Sequence, residues 1–250
     1  MQRCTLEKLG GRRPVQCQAR QSQNATHADN RKTDVDWLIH IGVDEFIVSQ
    51  AYIGSTLYKL DEQTLCARLR PIEQLVGDGQ TFRGFIPNGP SRNAIITDIY
   101  PEFGKYIKGG FLGHVASNVF LRRGLEGVNI RIHNVFQREV TNPQQVKLPT
   151  VDLAHCHSKP REDWLESFKY SLNHRSYRAE LSAAKKDGLS LNSLLTSLEA
   201  SDGKAGLRRF YDEVAADTPA LQDQLKDHNL LRKINLNLDA KLARHFPDLT

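Results

Sequence analysis

The sequence predicts an α/β protein that gives way to a mostly helical C-terminal module. Three observations carry that prediction. Short apolar segments alternate with turn chemistry across residues 37–159, one of these segments ends in acidic residues at 44–45, and apolar residues recur at spacings of three and four beyond residue 160. With 250 residues, 39% hydrophobic and 25% charged, the chain is long enough to bury a core and excludes fibrous and collagen-like classes. No apolar run approaches the roughly 20 residues of a membrane-spanning helix. The first eight residues lack the apolar stretch of a secretory signal, so the expected compartment is the cytoplasm.

Residues 1–35 read as a polar, irregular segment: Gly10-Gly11-Arg12-Arg13-Pro14 breaks regular structure, and 16–27 is rich in Gln, Arg, Ser and Asn. Trp37-Leu38-Ile39-His40-Ile41 follows, preceded by Asp34 and Asp36 and continued by Gly42-Val43-Asp44-Glu45-Phe46. That is the pattern of a buried parallel strand delivering acids at its C-terminal end, the place where open α/β sheets bind ligands. Turn signals at Pro87-Asn88-Gly89-Pro90, Gly109-Gly110, Arg123-Gly124 and Asn142-Pro143 separate short strand-like segments at 94–97, 119–121 and 128–133. From Pro160 the period changes. Trp164, Leu165, Phe168 and Leu172 keep helical spacing, as do Leu191, Leu194, Leu195 and Leu198, then Leu207, Phe210, Tyr211 and Val214. Thr218-Pro219 is an N-cap with proline at the first helical position. The expected organisation is a polar segment over 1–35, an α/β core over 36–159 and a helical module over 160–250.

The net charge of +5 raises nucleic-acid binding, and its distribution speaks against it. Seven Lys/Arg face four Asp/Glu in residues 1–36, thirteen face eleven in 37–159, and fourteen face fourteen in 160–250. No basic stripe with interleaved aromatics follows. Cys4, Cys17, Cys66 and Cys156 form no CxxC pair, which suits free thiols better than a disulfide frame or a zinc ribbon.

Three places can carry chemistry. A carboxylate in Gly42-Val43-Asp44-Glu45 can hold a hard divalent cation against a diphosphate, or can simply be solvated in a turn. In Val151-Asp152-Leu153-Ala154-His155-Cys156-His157 a strand would set His155 and His157 on one side, where either can ligate a metal or make ordinary hydrogen bonds. Gly109-Gly110-Phe111-Leu112-Gly113-His114 lets backbone approach either a ligand or a neighbouring strand.

Together these residues resemble a known family. Asp36-Trp37-Leu38-Ile39-His40-Ile41-Gly42-Val43-Asp44-Glu45-Phe46 looks like the "DWLIHIDVDEF" segment of bacterial family 2-type glycosyltransferases of the GT-A fold, whose core is a Rossmann-like mixed sheet. The likeness runs in order through 20–28, 110–116, 132–134, 153–155, 163–165 and 177–181. It implies a transferase that uses a nucleotide-diphosphate sugar donor, an unknown acceptor and Mg²⁺ or Mn²⁺. By that resemblance Asp44 is the metal ligand, His155 completes the site with His157 as its substitute, and Glu45 orients its neighbours. Gly110, His114 and Asn118 fall at the donor. Asp98 and Glu102, lying between the acidic motif and the glycine turn, are the candidates for general base.

The chain departs from the family pattern in three ways. Gly42 stands where the family has an Asp, and Ser117-Asn118 where it has Gly-Lys. Only about 35 polar residues precede Trp37, too few for the strand-helix-strand units of a nucleoside pocket, so the sheet is expected to be incomplete at its N-terminal side. The alternative to a working transferase is therefore a truncated, non-catalytic or partner-binding relative.

Overall fold

The structure, a computed structural model, describes residues 17–31, 34–113, 115–166 and 191–247. Along the chain run α1 (Cys17–Arg31), β1 (Trp37–Ile39), β2 (Glu45–Ser49), α2 (Ile53–Tyr58), β3 (Cys66–Gln74), β4 (Thr81–Gly84), α3 (Arg92–Ile99), β5 (Val119–Arg122), β6 (Val128–Ile130), β7 (Val135–Gln137), β8 (Val140–Thr141) and β9 (Gln145–His155). Then follow α4 (Leu191–Val214), which is two helical stretches joined at a kink at Gly203 (φ 59, ψ -140), α5 (Pro219–Asp227), β10 (Leu231–Lys233) and α6 (Leu238–His245). The chain is an α/β protein. It divides into two compact units, Met1–Pro71 with Ala116–His155, and Ile72–Val115 with Cys156–Thr250.

In the first unit β1 pairs antiparallel with β5, which pairs antiparallel with β3, while β9 pairs with β2 and β3. Strand periodicity sends Val119 and Leu121 to one face and Phe120 to the other, and both faces are covered. Val119 and Leu121 join Cys66, Ala25, Ile130 and Val135, whereas Phe120 joins Ala67, Leu69, Val151 and Leu153. Burial on both faces is why β5 reads as a continuous apolar run. The short strands β6, β7 and β8 make a separate antiparallel sheet.

The second unit is built on the β3–β4 hairpin. Its register sets Glu73 directly opposite Arg83, and β10 adds on the far side of β4. Leu75, Ile86, Ile99, Tyr100 and Phe103 pack against Leu194, Leu207, Phe210, Val214, Leu221 and Leu225 from α4 and α5. Trp164 stacks on Phe210 with ring centroids 5.9 Å apart. Thr218 caps α5 by accepting a hydrogen bond from the Leu221 N–H at 3.2 Å, with Pro219 at the first helical position.

Glu73 and Arg83 are 2% and 1% exposed. A buried carboxylate is tolerated only when donors saturate it. Glu73 accepts from Arg83 Nε at 2.8 Å and from Arg83 Nη2, from the Leu112 N–H at 3.0 Å and the Gly113 N–H at 2.6 Å, and pairs with His157 Nε2 at 2.9 Å. Arg83 Nη1 also donates to the Tyr100 hydroxyl at 3.1 Å and to the Val214 carbonyl. Burial pushes the Glu73 carboxyl up, and the Arg83 charge with these hydrogen bonds holds it well below the usual carboxylate range. The glycine turn 109–113 serves this arrangement. A Cβ on Gly113 would sit 2.4 Å from His157 Nε2, and one on Gly109, at φ +63, 2.2 Å from Phe85 Cε2.

Four expectations need correction. Residues 17–31 form a helix rather than an irregular stretch: they hold no Gly or Pro, Ala25 is buried, and Ser22 Oγ donates to the Ile130 carbonyl. The strand at 37–39 is antiparallel and half-buried, not buried and parallel. Residues 94–97 lie in helix α3, because the turn at 87–90 ends just before it and Ile96 and Ile99 share a buried face at a spacing of three. The C-terminal module also contains a strand, β10. Phe168 and Leu172 lie outside the described residues.

Replacing Arg83 by Met strands the Glu73 carboxylate, so it should cost about 3–5 kcal/mol of stability in urea unfolding. Replacing both Arg83 by Met and Glu73 by Gln should cost clearly less than Arg83→Met alone.

Candidate functional site

Within the first unit the antiparallel register of β2 and β9 places Glu45 opposite His155, more than a hundred residues away in sequence. Glu45 Oε1 and His155 Nδ1 are 3.2 Å apart, with side chains 10% and 4% exposed. The other carboxylate oxygen, Oε2, accepts from the Gly42 N–H at 2.5 Å, closing the 42–45 turn, and from Asn118 Nδ2 at 2.8 Å. Asn118 is fully buried and also donates to the His40 carbonyl at 2.8 Å. Its Oδ1 meets His133 Nδ1 at 2.7 Å. Arg68 fixes the surrounding loops, donating to the Ser117 carbonyl at 2.5 Å and to Asn134 Oδ1 at 2.7 Å.

Burial raises the Glu45 pKa. The hydrogen bond with His155, the Gly42 N–H and the electrostatic attraction of His155 and His133 outweigh that and hold it at about 2. Glu45 is thus a permanent anion near neutral pH, fixed by three protein groups.

The other sequence-predicted residues fall as follows. Asp44 is exposed at the turn that Gly42 and Glu45 close, next to the fully exposed Val43. β9 ends at His155, so a strand period does not extend to His157; His155 pairs with Glu45 in the first unit and His157 with Glu73 in the second. Gly110, at φ +82, is buried, and a Cβ there would lie 3.2 Å from Ile86 and 3.3 Å from Tyr100. Asp98 and Glu102 both belong to the second unit. Asp98 is 2.7 Å from His228 Nε2, and Glu102 Oε1 lies 3.8 Å from Arg209 while its N–H donates to Glu213. His114 lies outside the described residues. The structure therefore brings together Glu45, His155 and Asn118, and adds His133 to them.

Among the described residues no group of three or more His, Cys, Asp or Glu is arranged to hold a metal ion. Glu45 and His155 Nδ1 are engaged with each other, which leaves Asp44 as the carboxylate open to solvent at this turn. That donor set does not make a preformed metal site. A single exposed carboxylate is the lower limit of the protein's share in binding Mg²⁺, which is commonly held by one or two protein carboxylates with phosphate oxygens and water completing its shell. A polar cavity of about 500 Å³, lined by Asp29, Arg123 and residues 124–128 of the first unit, contains none of the predicted site residues.

Comparison with protein-family models, with curated proteins and with solved structures gives no match to this chain. No described helix is long and apolar enough to cross a membrane.

Sequence reasoning missed the Glu73–Arg83 pair. The Gly77-Asp78-Gly79 turn between two strand-like segments was the available signal, because it sets the hairpin register that opposes the two residues.

Glu45 titrates at about 2 in the folded protein against an ordinary value of 4.5. Its stabilising contribution is therefore complete above pH 4.5 and is lost as pH falls from there toward 2. Chemical denaturation of wild type and Glu45→Gln should show the wild-type advantage intact at pH 6 and shrinking through that window; a constant difference would contradict the assignment.

Proposed function

We propose that this chain is a glycosyltransferase-like protein of the family 2 type with a GT-A fold, which transfers a sugar from a nucleoside-diphosphate sugar to an acceptor hydroxyl. One observation carries the reading. Motif segments that occur in the family's order, the acidic turn at 42–45 and the histidine at 155, meet in a single pair, Glu45 and His155. In this reaction the acceptor oxygen bonds to the anomeric carbon, the bond from that carbon to the diphosphate breaks, and its electron pair leaves on the diphosphate. The hydroxyl proton passes to a base; Asp98 and Glu102 are engaged within the second unit with His228 and Arg209, and neither is assigned that role. Asp44 is the residue that would hold Mg²⁺ or Mn²⁺ with the donor, and Glu45, paired with His155, would hold the turn. Bound there, the cation supplies charge neutralisation of the departing diphosphate.

A second reading, a non-catalytic relative that binds a partner, is favoured by specific observations. Gly42 provides no carboxylate, Glu45 is saturated by protein donors, and Asn118 supplies no cation where the family has a lysine.

Calorimetry separates the two. The transferase reading expects Mn²⁺ alone to bind weakly and Mn²⁺ with UDP or GDP to bind at least about tenfold more tightly, a gain lost in Asp44→Asn. Gly42→Asp should tighten binding further by adding a second carboxylate to the turn, its Cβ lying 3.0 Å from Asp44 Oδ1 and 3.3 Å from the Glu45 side chain. Absence of both nucleotide binding and donor hydrolysis across a panel of UDP- and GDP-sugars establishes the non-catalytic reading.

A further inference from the structure

We infer that Asn118 and His133 are positioning residues: they form a relay of fixed hydrogen-bond direction that locks the Glu45 carboxylate and, through it, the turn presenting Asp44. The direction follows from the neighbours of Asn118. One end of its amide faces two groups that can only accept, the His40 carbonyl and the Glu45 carboxylate, each at 2.8 Å. That end must be the NH₂ group, which puts the oxygen 2.7 Å from His133 Nδ1. An amide oxygen cannot donate, so His133 Nδ1 must carry a proton whether the ring is charged or neutral. The neutral ring is thereby fixed as the Nδ1–H tautomer, with Nε2 as its acceptor nitrogen.

The relay acts at a distance from Asp44. With His133 donating, Asn118 cannot turn its amide over without setting NH₂ against N–H at one end and oxygen against carboxylate at the other. Asn118 Nδ2 and the Gly42 N–H converge on the same oxygen of Glu45, Oε2, and the hydrogen bond from Gly42 fixes the backbone on which Asp44 stands. Arg68 supports both ends of the relay, donating to the Ser117 carbonyl beside Asn118 and to the His133 carbonyl at 3.2 Å. Asn118 thus does work different from that of the lysine the resembling family carries. It offers no charge to a phosphate and transmits orientation between a histidine and the acidic turn. That this turn serves a ligand rests on the transferase reading; the relay itself does not.

The test uses the full chain and three readouts. Nitrogen-15 spectra of the imidazoles above pH 8 should show His133 as the Nδ1–H tautomer; an Nε2–H tautomer overturns the relay. Hydrogen exchange at the Gly42 amide should accelerate at least about tenfold in His133→Leu, which removes the donor, and stay within about threefold of wild type in His133→Gln, whose amide can donate to Asn118 Oδ1. Equal exchange in wild type and His133→Leu overturns the relay, as does equal acceleration in both variants. If His133→Leu fails to fold, the wild-type tautomer decides. Binding of Mn²⁺ with UDP, measured on the same proteins, should weaken in His133→Leu and recover in His133→Gln. Should wild type bind no Mn²⁺-UDP, the transferase reading fails while tautomer and exchange still decide the relay.

Discussion

A carboxylate taken out of water must be supplied with donors for nearly all of its lone pairs, and two carboxylates withdrawn from solvent, the buried Glu73 and the largely covered Glu45, constrain the registers and turns around them. Glu73 in the second unit and Glu45 in the first are each held as anions by a histidine and by backbone N–H groups. Satisfying Glu73 requires a guanidinium directly across the hairpin and a glycine turn close enough to point two N–H groups at it. Satisfying Glu45 requires a strand from the far end of the α/β region to end at the right residue. Apolar packing sets where the elements lie, while these two anions restrict which registers and turns are admissible.

The two centres differ in what their histidines do. Around Glu73 the guanidinium supplies most of the compensating charge, and the network closes on Tyr100 and the Val214 carbonyl deep in the helical core. It is a fold-holding device. Around Glu45 no arginine or lysine among the described residues makes contact, and compensation comes from histidines, an asparagine and a backbone amide. This shell stands next to an exposed acidic residue, Asp44. Asp44 is therefore open to solvent without any buried ion pair having to be displaced.

Much of this was readable from residue order. The α/β character, the helical stretches on either side of Gly203 and the cap at Thr218-Pro219 came from periodicity and capping chemistry. The polar helix at 17–31 was hidden because its anchor is one small residue, Ala25, with a serine bonded to a neighbouring strand. Ala94-Ile95-Ile96-Thr97 reads as a strand because it is rich in β-branched residues, a local preference that burial of Ile96 and Ile99 in helix α3 overrides. The assignment of Glu45 rather than Asp44 to the pair with His155 depends on the β2–β9 register, which is a tertiary fact.

That register also has a kinetic side. Hairpin partners such as Glu73 and Arg83 meet after closing a loop of a few residues, whereas Glu45 and His155 meet only after more than a hundred intervening residues have been gathered in. During synthesis Glu45 leaves the ribosome long before His155 exists, and until β9 docks it is an ordinary solvated carboxylate with an ordinary affinity for water and ions. The acidic turn acquires its fixed shape only once β9 has docked, and a nascent chain interrupted before residue 155 would carry the motif without the partner that gives it form.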